Sequence, residues 1–513
     1  MDTAISSPQQ AASDPPPRRS WVRPGPMTHL LILGFAALHL AIAAALPLIT
    51  FETHYALYGL HLDWSYVDHP PLTGWIQGLV QRLSSSDLAL RLAPIAIMTA
   101  SQYLIAALAL RLFPRATPWL GVVVVLLLQG AGILHLGFAM APEVPLLLAG
   151  LFTFWYTLAV IEHNRTRDWL GLGVALGLAG LAKYTAITLA FSVVIAVVTY
   201  GSWRQLRQPM ALLAVALAGV LVSPVVIWNW QHDWVSFTYQ LGYQLSPEEA
   251  GTGWSLADAA GNQLEQFGAY SPLLYVGGVA GLCWGLWRRD KGAVLSAMFA
   301  LPILLLVGYL AGAGRSSPHW TLLGWVMLAP LAGVWILSAW RCLAVRWLTY
   351  VSAGLSVVVV LLLILITLPW LPFPDFRHPL SRLVGWPEAT ARAELLRRQW
   401  AQEAGPEPVL LVRNWHYAGP LAWYGQPGVV QETGSRTSQY VYWYGRPGVG
   451  ARGILVQFED GTAAPVMSAP GFECTLVDQL PAYRGPTLAR MFFYYRCRST
   501  GAAAVTPAGA GGG

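Results

Sequence analysis

Thr28–Thr50 reads THLLILGFAALHLAIAAALPLIT, and Phe51-Glu52-Thr53-His54-Tyr55 follows it at once. A few residues on comes His61-Leu62-Asp63-Trp64-Ser65-Tyr66-Val67-Asp68-His69-Pro70-Pro71-Leu72. The first run carries no Asp, Glu, Lys or Arg. About 20 helical residues cross the roughly 30 Å hydrocarbon layer of a bilayer, so the run predicts a membrane span. The stretch beyond it gathers acids, imidazoles and aromatic rings into one loop. A secretory signal would have a shorter apolar core and a small-residue cleavage site. The run therefore reads as an uncleaved first helix. Residues 1–27, rich in Pro, Ser, Ala and Gln and carrying Arg18, Arg19 and Arg23, read as a disordered cytosolic tail.

The rest of the chain agrees with a membrane setting. Of 513 residues, 55% are apolar and only 11% charged, with a mean hydropathy of +0.49. A soluble domain carries about 25% charged residues, so this chain has too little charge to solvate a globule of its size. The net charge of +6 does not imply nucleic acid, because it comes from arginines in short connections between apolar runs. Lys183 and Lys291 are the only lysines among 31 basic residues.

Further spans are predicted at 88–110, 117–136, 144–161, 169–182, 185–200, 210–228, 264–286, 292–312, 320–340 and 347–369, eleven in all with the first. Alternate connections hold Arg111 and Arg115, Arg165 and Arg167, Arg204 and Arg207, Arg288, Arg289 and Lys291, and Arg341 and Arg346. Basic residues concentrate in cytosolic loops. This pattern predicts a cytosolic N-terminus and an external C-terminus. The opposite connections are longer and rich in Glu, Asp, His, Trp and Tyr. Loops 51–87 and 229–263 are the largest, and both are expected to form structured caps, since plain connections are short. Chemistry belongs on that face.

From about Trp370 the composition changes. Residues 388–400 have helical spacing, and Val409–Val412, Gly453–Phe458, Thr475–Leu480 and Met491–Tyr495 read as strands between Gly and Pro turns. Residues 370–498 are expected to form a small extracytoplasmic α/β domain, and 499–513, rich in Ala and Gly, a disordered tail. A hairpin about Gly485-Pro486 would set Cys474 opposite Cys497, predicting a disulfide in an oxidising compartment. Cys283 and Cys342 read as small buried apolar groups.

Five places on the external face carry candidate chemistry. Glu52 is an acid at a membrane boundary, where a carboxylate can act as general base or simply anchor a loop. Asp68 and His69 either react or fix the loop ahead of Pro70-Pro71. Glu143, in Ala141-Pro142-Glu143, opens a helix, where the dipole favours an acid. Lys183, in Leu181-Ala182-Lys183-Tyr184-Thr185, sits at an apolar hairpin, where an ionisable group is costly and so marks function or snorkels to the surface. The last two places are Trp228-Asn229-Trp230-Gln231-His232-Asp233-Trp234 and Arg315-Ser316-Ser317-Pro318-His319-Trp320.

In this order these blocks resemble the GT-C glycosyltransferases, the set related to dolichyl-phosphate-mannose protein mannosyltransferases and bacterial aminoarabinose transferases. Glu52 with Tyr55, His61-Leu62-Asp63-Trp64, Asp68-His69-Pro70-Pro71-Leu72, Pro142-Glu143, Lys183-Tyr184-Thr185-Ala186 and Pro318-His319-Trp320 carry the likeness, which covers residues 30–345 best. It implies a polytopic enzyme that takes a sugar from a polyprenyl phosphate and passes it to a glycolipid, glycan or protein acceptor on the outer face. Relatives have an Asp-Glu pair where this chain has Phe51-Glu52, and an Asp where it has Glu143. The resemblance implies catalytic roles for Glu52, Asp68 and Glu143, and substrate binding by Tyr55, His69, Lys183, Tyr184, Arg315 and His319. Cations preorganised in a water-poor site would stabilise the departing phosphate. No cofactor is required, although Glu52, Asp68 and Glu143 could hold a divalent cation. A lipid or sugar transporter, or flippase, would suit the spans equally, but should place polar groups at mid-membrane and show related halves. A catalytically degenerate glycosyltransferase homologue is the third reading, because the first acid is missing.

Overall fold

The computed structural model describes residues 24–240, 254–434, 438–459 and 464–500. Most of the expected N-terminal tail, nearly all of the C-terminal tail and residues 241–253 of the second large outer loop lie outside them. Among the described residues, seven helices are long and apolar enough to cross a membrane: Pro26–Ala45, Asp87–Leu112, Glu143–His163, Pro209–Gln231, Lys291–Gly312, Pro318–Ser338 and Leu343–Thr367. The pair Leu256–Ala269 and Pro272–Trp287, bent by 114°, makes an eighth if it is one span. The remaining expected spans correspond to the shorter apolar helices Leu120–Gln129, Thr166–Ala182 and Tyr184–Tyr200. Each of the eleven runs is thus helical, but the full-length spans number seven or eight. Leu120–Gln129 rises only about 15 Å, half the layer, before the chain tightens into a 3₁₀ turn at Gly132–Leu136.

The first helix also ends earlier than its hydropathy suggests. Leu46 precedes Pro47 and is extended, as the steric demand of a proline ring on its predecessor requires. A second helix, Thr50–Leu60, then lies across the end of the bundle. Thr166–Ala182 and Pro209–Gln231 approach so closely at Gly173 that a Cβ there would stand 2.6 Å from the Ala214 carbonyl oxygen. Small residues permit such backbone proximity between membrane helices.

The two ends of the bundle differ. At one end Arg111 donates to Glu162 at 2.8 Å, Asn164 donates to Gln208 at 3.0 Å, and the Lys291 ammonium lies 5.3 Å from the Tyr200 ring. The basic connections converge there. The opposite end carries the helix Thr50–Leu60, the loop 61–71 and a sheet. That sheet holds six strands among the described residues: β1 Val409–Val412, β2 Val430–Glu432, β3 Arg452–Glu459, β4 Val466–Ala469, β5 Phe472–Arg484 and β6 Thr487–Ser499. Their order is β2-β1-β3-β6-β5-β4. β1 runs parallel to both its neighbours, and the remaining pairs are antiparallel. One face packs under the helices Trp386–Ala401 and Trp415–Tyr424, through Trp386, Trp400, Leu421, Ile454 and Phe492. Leu57 of the helix Thr50–Leu60 joins that same core, so the sheet unit is bound to the bundle by shared apolar burial.

β5 and β6 pair about Gly485-Pro486, with Cys474 opposite Cys497 and a disulfide between them. Gly485 has φ +55°, and a Cβ there would collide with the Pro369 carbonyl. The hairpin tip therefore rests on the end of the last membrane helix, where Arg484 donates to the Thr367 carbonyl at 2.7 Å. Cys283 and Cys342 are exposed, not buried. Gly281 and Gly285 take the packed face of Pro272–Trp287, against Leu331 and Ala293, which turns Cys283 outward.

Candidate active site

A cavity of about 770 Å³ lies between the loop 61–71, the start of Glu143–His163, the break at Lys183, the loop before Trp320 and the first turn of Trp415–Tyr424. Its walls include Asp68, Glu143, Tyr55, His69, Lys183, Tyr184, Arg315 and His319. Eight of the nine residues singled out in the sequence are thereby brought together. Met98, Ile133, Leu136, Ile187, Leu306 and Leu310 give part of its wall an apolar lining. A wall that is polar in one part and apolar in another suits a ligand with a charged head and a hydrocarbon tail.

Glu52 is the ninth, and it stands apart from the other eight. It is 3% exposed and does not line the cavity. Its carboxylate accepts from Arg91 Nε at 2.8 Å and Nη2 at 2.5 Å, and from the Ile49 amide at 2.8 Å. Arg91 in turn donates to the carbonyls of Ala43, Leu46 and Pro47. Those are the backbone groups that the break after the first helix leaves without intrahelical partners. The pair knits that break together. Phe51, at the place of the family's other acid, faces the cavity instead.

Asp68 is the carboxylate that the outer loop presents. Its side chain is 20% exposed. Oδ2 accepts from His54 Nε2 at 3.0 Å, and the Tyr58 hydroxyl donates to Oδ1. Gln240 donates to its backbone carbonyl at 2.7 Å. Burial alone would raise the Asp68 pKa, but His54, His69 and the Tyr58 hydroxyl together hold it well below the ordinary carboxylate value. It is ionised at neutral pH. Beside it, burial lowers the His69 pKa to about 4, with Lys183 adding to the effect and Asp68 opposing it. His69 is therefore neutral at pH 7, and its buried Nδ1 has no hydrogen-bond partner among the described residues.

Glu143 and Lys183 meet from different helices. Lys183 is the extended residue that ends Thr166–Ala182, and its ammonium donates to Glu143 Oε1. His319 Nε2 stands 3.5 Å from the same oxygen, and the Trp320 ring lies 5.5 Å from the Lys183 nitrogen. Glu143 thus holds Lys183 at the wall instead of letting it reach toward water. Glu52, Asp68 and Glu143 do not come together. Among the described residues no three His, Cys, Asp or Glu side chains are grouped to hold a metal.

Some contributors were not singled out from the sequence. His54, Tyr58 and Gln240 set Asp68, while Trp415 and His416 bring the sheet unit to the cavity wall. The dense aromatic run Tyr440-Val441-Tyr442-Trp443-Tyr444 was the available signal for contacts from that unit. The Trp-rich stretch contributes indirectly: Trp228 Nε1 donates to Asp63 at 2.9 Å and its ring stacks on His232 at 4.0 Å.

Residues 68–228 match the profile of the dolichyl-phosphate-mannose-protein mannosyltransferase family. The lipid A galacturonosyltransferase RgtD of Rhizobium johnstonii is 23% identical over 318 residues, which are 60% of this chain and 65% of that protein. The chain therefore spans slightly less than two thirds of the curated relative it matches. ArnT from Cupriavidus metallidurans shares the fold in two solved structures. The apo form aligns with a TM-score of 0.56 at 15% identity, over 83% of this chain and 92% of that one. The form bound to undecaprenyl phosphate aligns with a TM-score of 0.60 at 14% identity, over 93% of this chain and 99% of that one.

Proposed function

We propose that this chain is a GT-C-type membrane glycosyltransferase drawing its sugar from a polyprenyl-phosphate carrier, a reading supported by the family profile matched over residues 68–228 and by the likeness to RgtD and ArnT. The observation that carries the reading is the cavity itself, whose wall joins an ionised carboxylate and a cluster of cationic and imidazole side chains to an apolar lining. ArnT binding undecaprenyl phosphate supports the donor class. RgtD supports a glycolipid acceptor of the lipid A kind, and the position of the cavity opposite the basic connections supports action on the outer face of the inner membrane.

In this mechanism the prenyl chain lies against Met98, Ile187 and Leu310, and the phosphate faces Lys183, Arg315 and His319. An acceptor hydroxyl oxygen attacks the anomeric carbon. The bond from that carbon to the phosphate oxygen breaks, and polyprenyl phosphate leaves as the anion. Asp68 orients the hydroxyl and takes its proton as the new glycosidic bond forms. Glu143 fixes the Lys183 ammonium so that its charge is already in place when negative charge develops on the leaving group.

The test compares Asp68→Asn with Lys183→Ala, scoring transfer by mass spectrometry of lipid A from cells lacking or carrying the gene. Asp68→Asn should lower the rate about 10²–10⁴-fold, the usual loss for one positioned acid–base group, while undecaprenyl phosphate still binds. Lys183→Ala should chiefly weaken that binding. Full transfer by folded Asp68→Asn would remove Asp68 as base. An unchanged lipid A profile would redirect the search to glycan or protein acceptors.

A further inference from the structure

The carboxylate assigned as base is held by a chain of contacts that ends outside the membrane bundle. Asp68 Oδ2 meets His54 Nε2 at 3.0 Å, and His54 Nδ1 meets the Tyr440 hydroxyl at 2.8 Å. His54 is 4% exposed and Tyr440 1%. Tyr440 belongs to the short helix Gln439–Tyr444 of the sheet unit, hundreds of residues away in sequence. The same helix touches the loop twice more. Gln439 accepts from the Val67 amide at 2.8 Å, and the Tyr444 hydroxyl meets His61 Nε2 at 2.9 Å.

The hydrogen bonds define the direction of the chain. An ionised carboxylate can only accept, so His54 must present a proton on Nε2. Among the described residues the Tyr440 hydroxyl has His54 as its one hydrogen-bond partner. A buried hydroxyl with one partner donates to it, because an undonated buried proton costs about 1–3 kcal/mol. Nδ1 therefore accepts, and the ring presents its proton from Nε2, the arrangement set by whatever the other ring nitrogen bonds. Without the Tyr440 hydroxyl, Nδ1 has no donor, and the ring is free to carry its proton there and offer Asp68 a bare nitrogen.

We propose that Tyr440 is a positioning residue for transfer, acting on Asp68 through the orientation and tautomer of His54. The inference rests on Asp68 being the base. It makes the docked sheet unit part of the active arrangement rather than a separate lobe, since the far ring nitrogen of the His54 that bonds Asp68 finds its partner on Gln439–Tyr444.

The experiment uses the full-length protein in detergent or vesicles, with initial rates and a thermal melt for each variant. Tyr440→Phe keeps the ring and should lower kcat about 10–100-fold, the scale seen when an outer partner that orients a histidine is removed, with the donor KM unchanged. Tyr444→Phe removes a comparable hydroxyl from the same helix, one that bonds His61 and not the Asp68 chain, and should leave kcat intact. In an Asp68→Asn background, Tyr440→Phe should add no further loss, because residues acting as one unit are not additive. Equal losses in both tyrosine variants would mean that docking, not positioning, is what Tyr440 supplies, and would overturn the proposal. So would a Tyr440→Phe enzyme at full rate, or a loss that persists undiminished without the Asp68 carboxylate. If Asp68→Asn alone transfers normally, the base assignment fails first, and the result is told apart from these by that single variant.

Discussion

Glu52 and Asp68 share an outer segment and a charge, yet the fold uses them in opposite ways. Glu52 neutralises an arginine that would otherwise be buried unpaired, while Asp68 keeps its charge for the cavity. Breaking a buried ion pair by removing one partner costs about 3–5 kcal/mol. Glu52→Gln should therefore lower thermal stability by that order, read as an earlier melt in detergent, while the folded fraction keeps its kcat and donor KM. A variant with unchanged stability and lost transfer would return Glu52 to catalysis. Nothing local in the sequence distinguishes the two acids. Arg91 lies inside a run that reads as an apolar span, and only the packing of the helix Asp87–Leu112 against the break at Leu46-Pro47 brings its guanidinium to Glu52.

Among the elements, the β5–β6 hairpin has the simplest relation between sequence and structure. Its turn is Gly485-Pro486, its cysteines pair in register, and the left-handed φ at Gly485 explains why glycine stands there. Removing a native bridge from a small external unit typically costs about 2–5 kcal/mol. Cys474→Ser should thus loosen the sheet unit, with faster proteolysis between β4 and β6 as the readout, and equal protease resistance in the variant would deny the bridge a stabilising role. Local signals also gave β1 at its observed limits. They missed β2 and β4, which are three and four residues long and owe their extended form to the neighbour each one pairs with. For the membrane helices, hydropathy located every apolar run but not its breaks. Pro47 ends the first helix early, and Pro272 begins the second limb of a sharply bent pair. The cavity residues were legible because chemistry-bearing side chains stand out against an apolar background. His54 and Tyr440 were not, because their meaning lies in a contact across most of the chain.

At the scale of the whole molecule, the basic connections gather at one end and the cavity and sheet at the other. The positive-inside rule assigns the basic end to the cytosol. A reporter active only outside the cytosol, fused after residue 370, should be active, and one fused in the 204–207 connection should be silent. The reverse pattern would move the cavity, and the acceptor, to the cytosolic leaflet. The sheet adds a demand in time. β6 follows the other five strands in the chain yet sits between β3 and β5, so a growing chain holds the middle of its sheet open until residues 487–499 have been made. Until then β3 and β5 have no common partner, Cys474 has no Cys497, and the platform beneath Gln439–Tyr444 is incomplete. A nascent chain whose bundle has already folded would therefore carry a cavity over which Gln439–Tyr444, and with it the Tyr440 contact to His54, is not yet firmly seated.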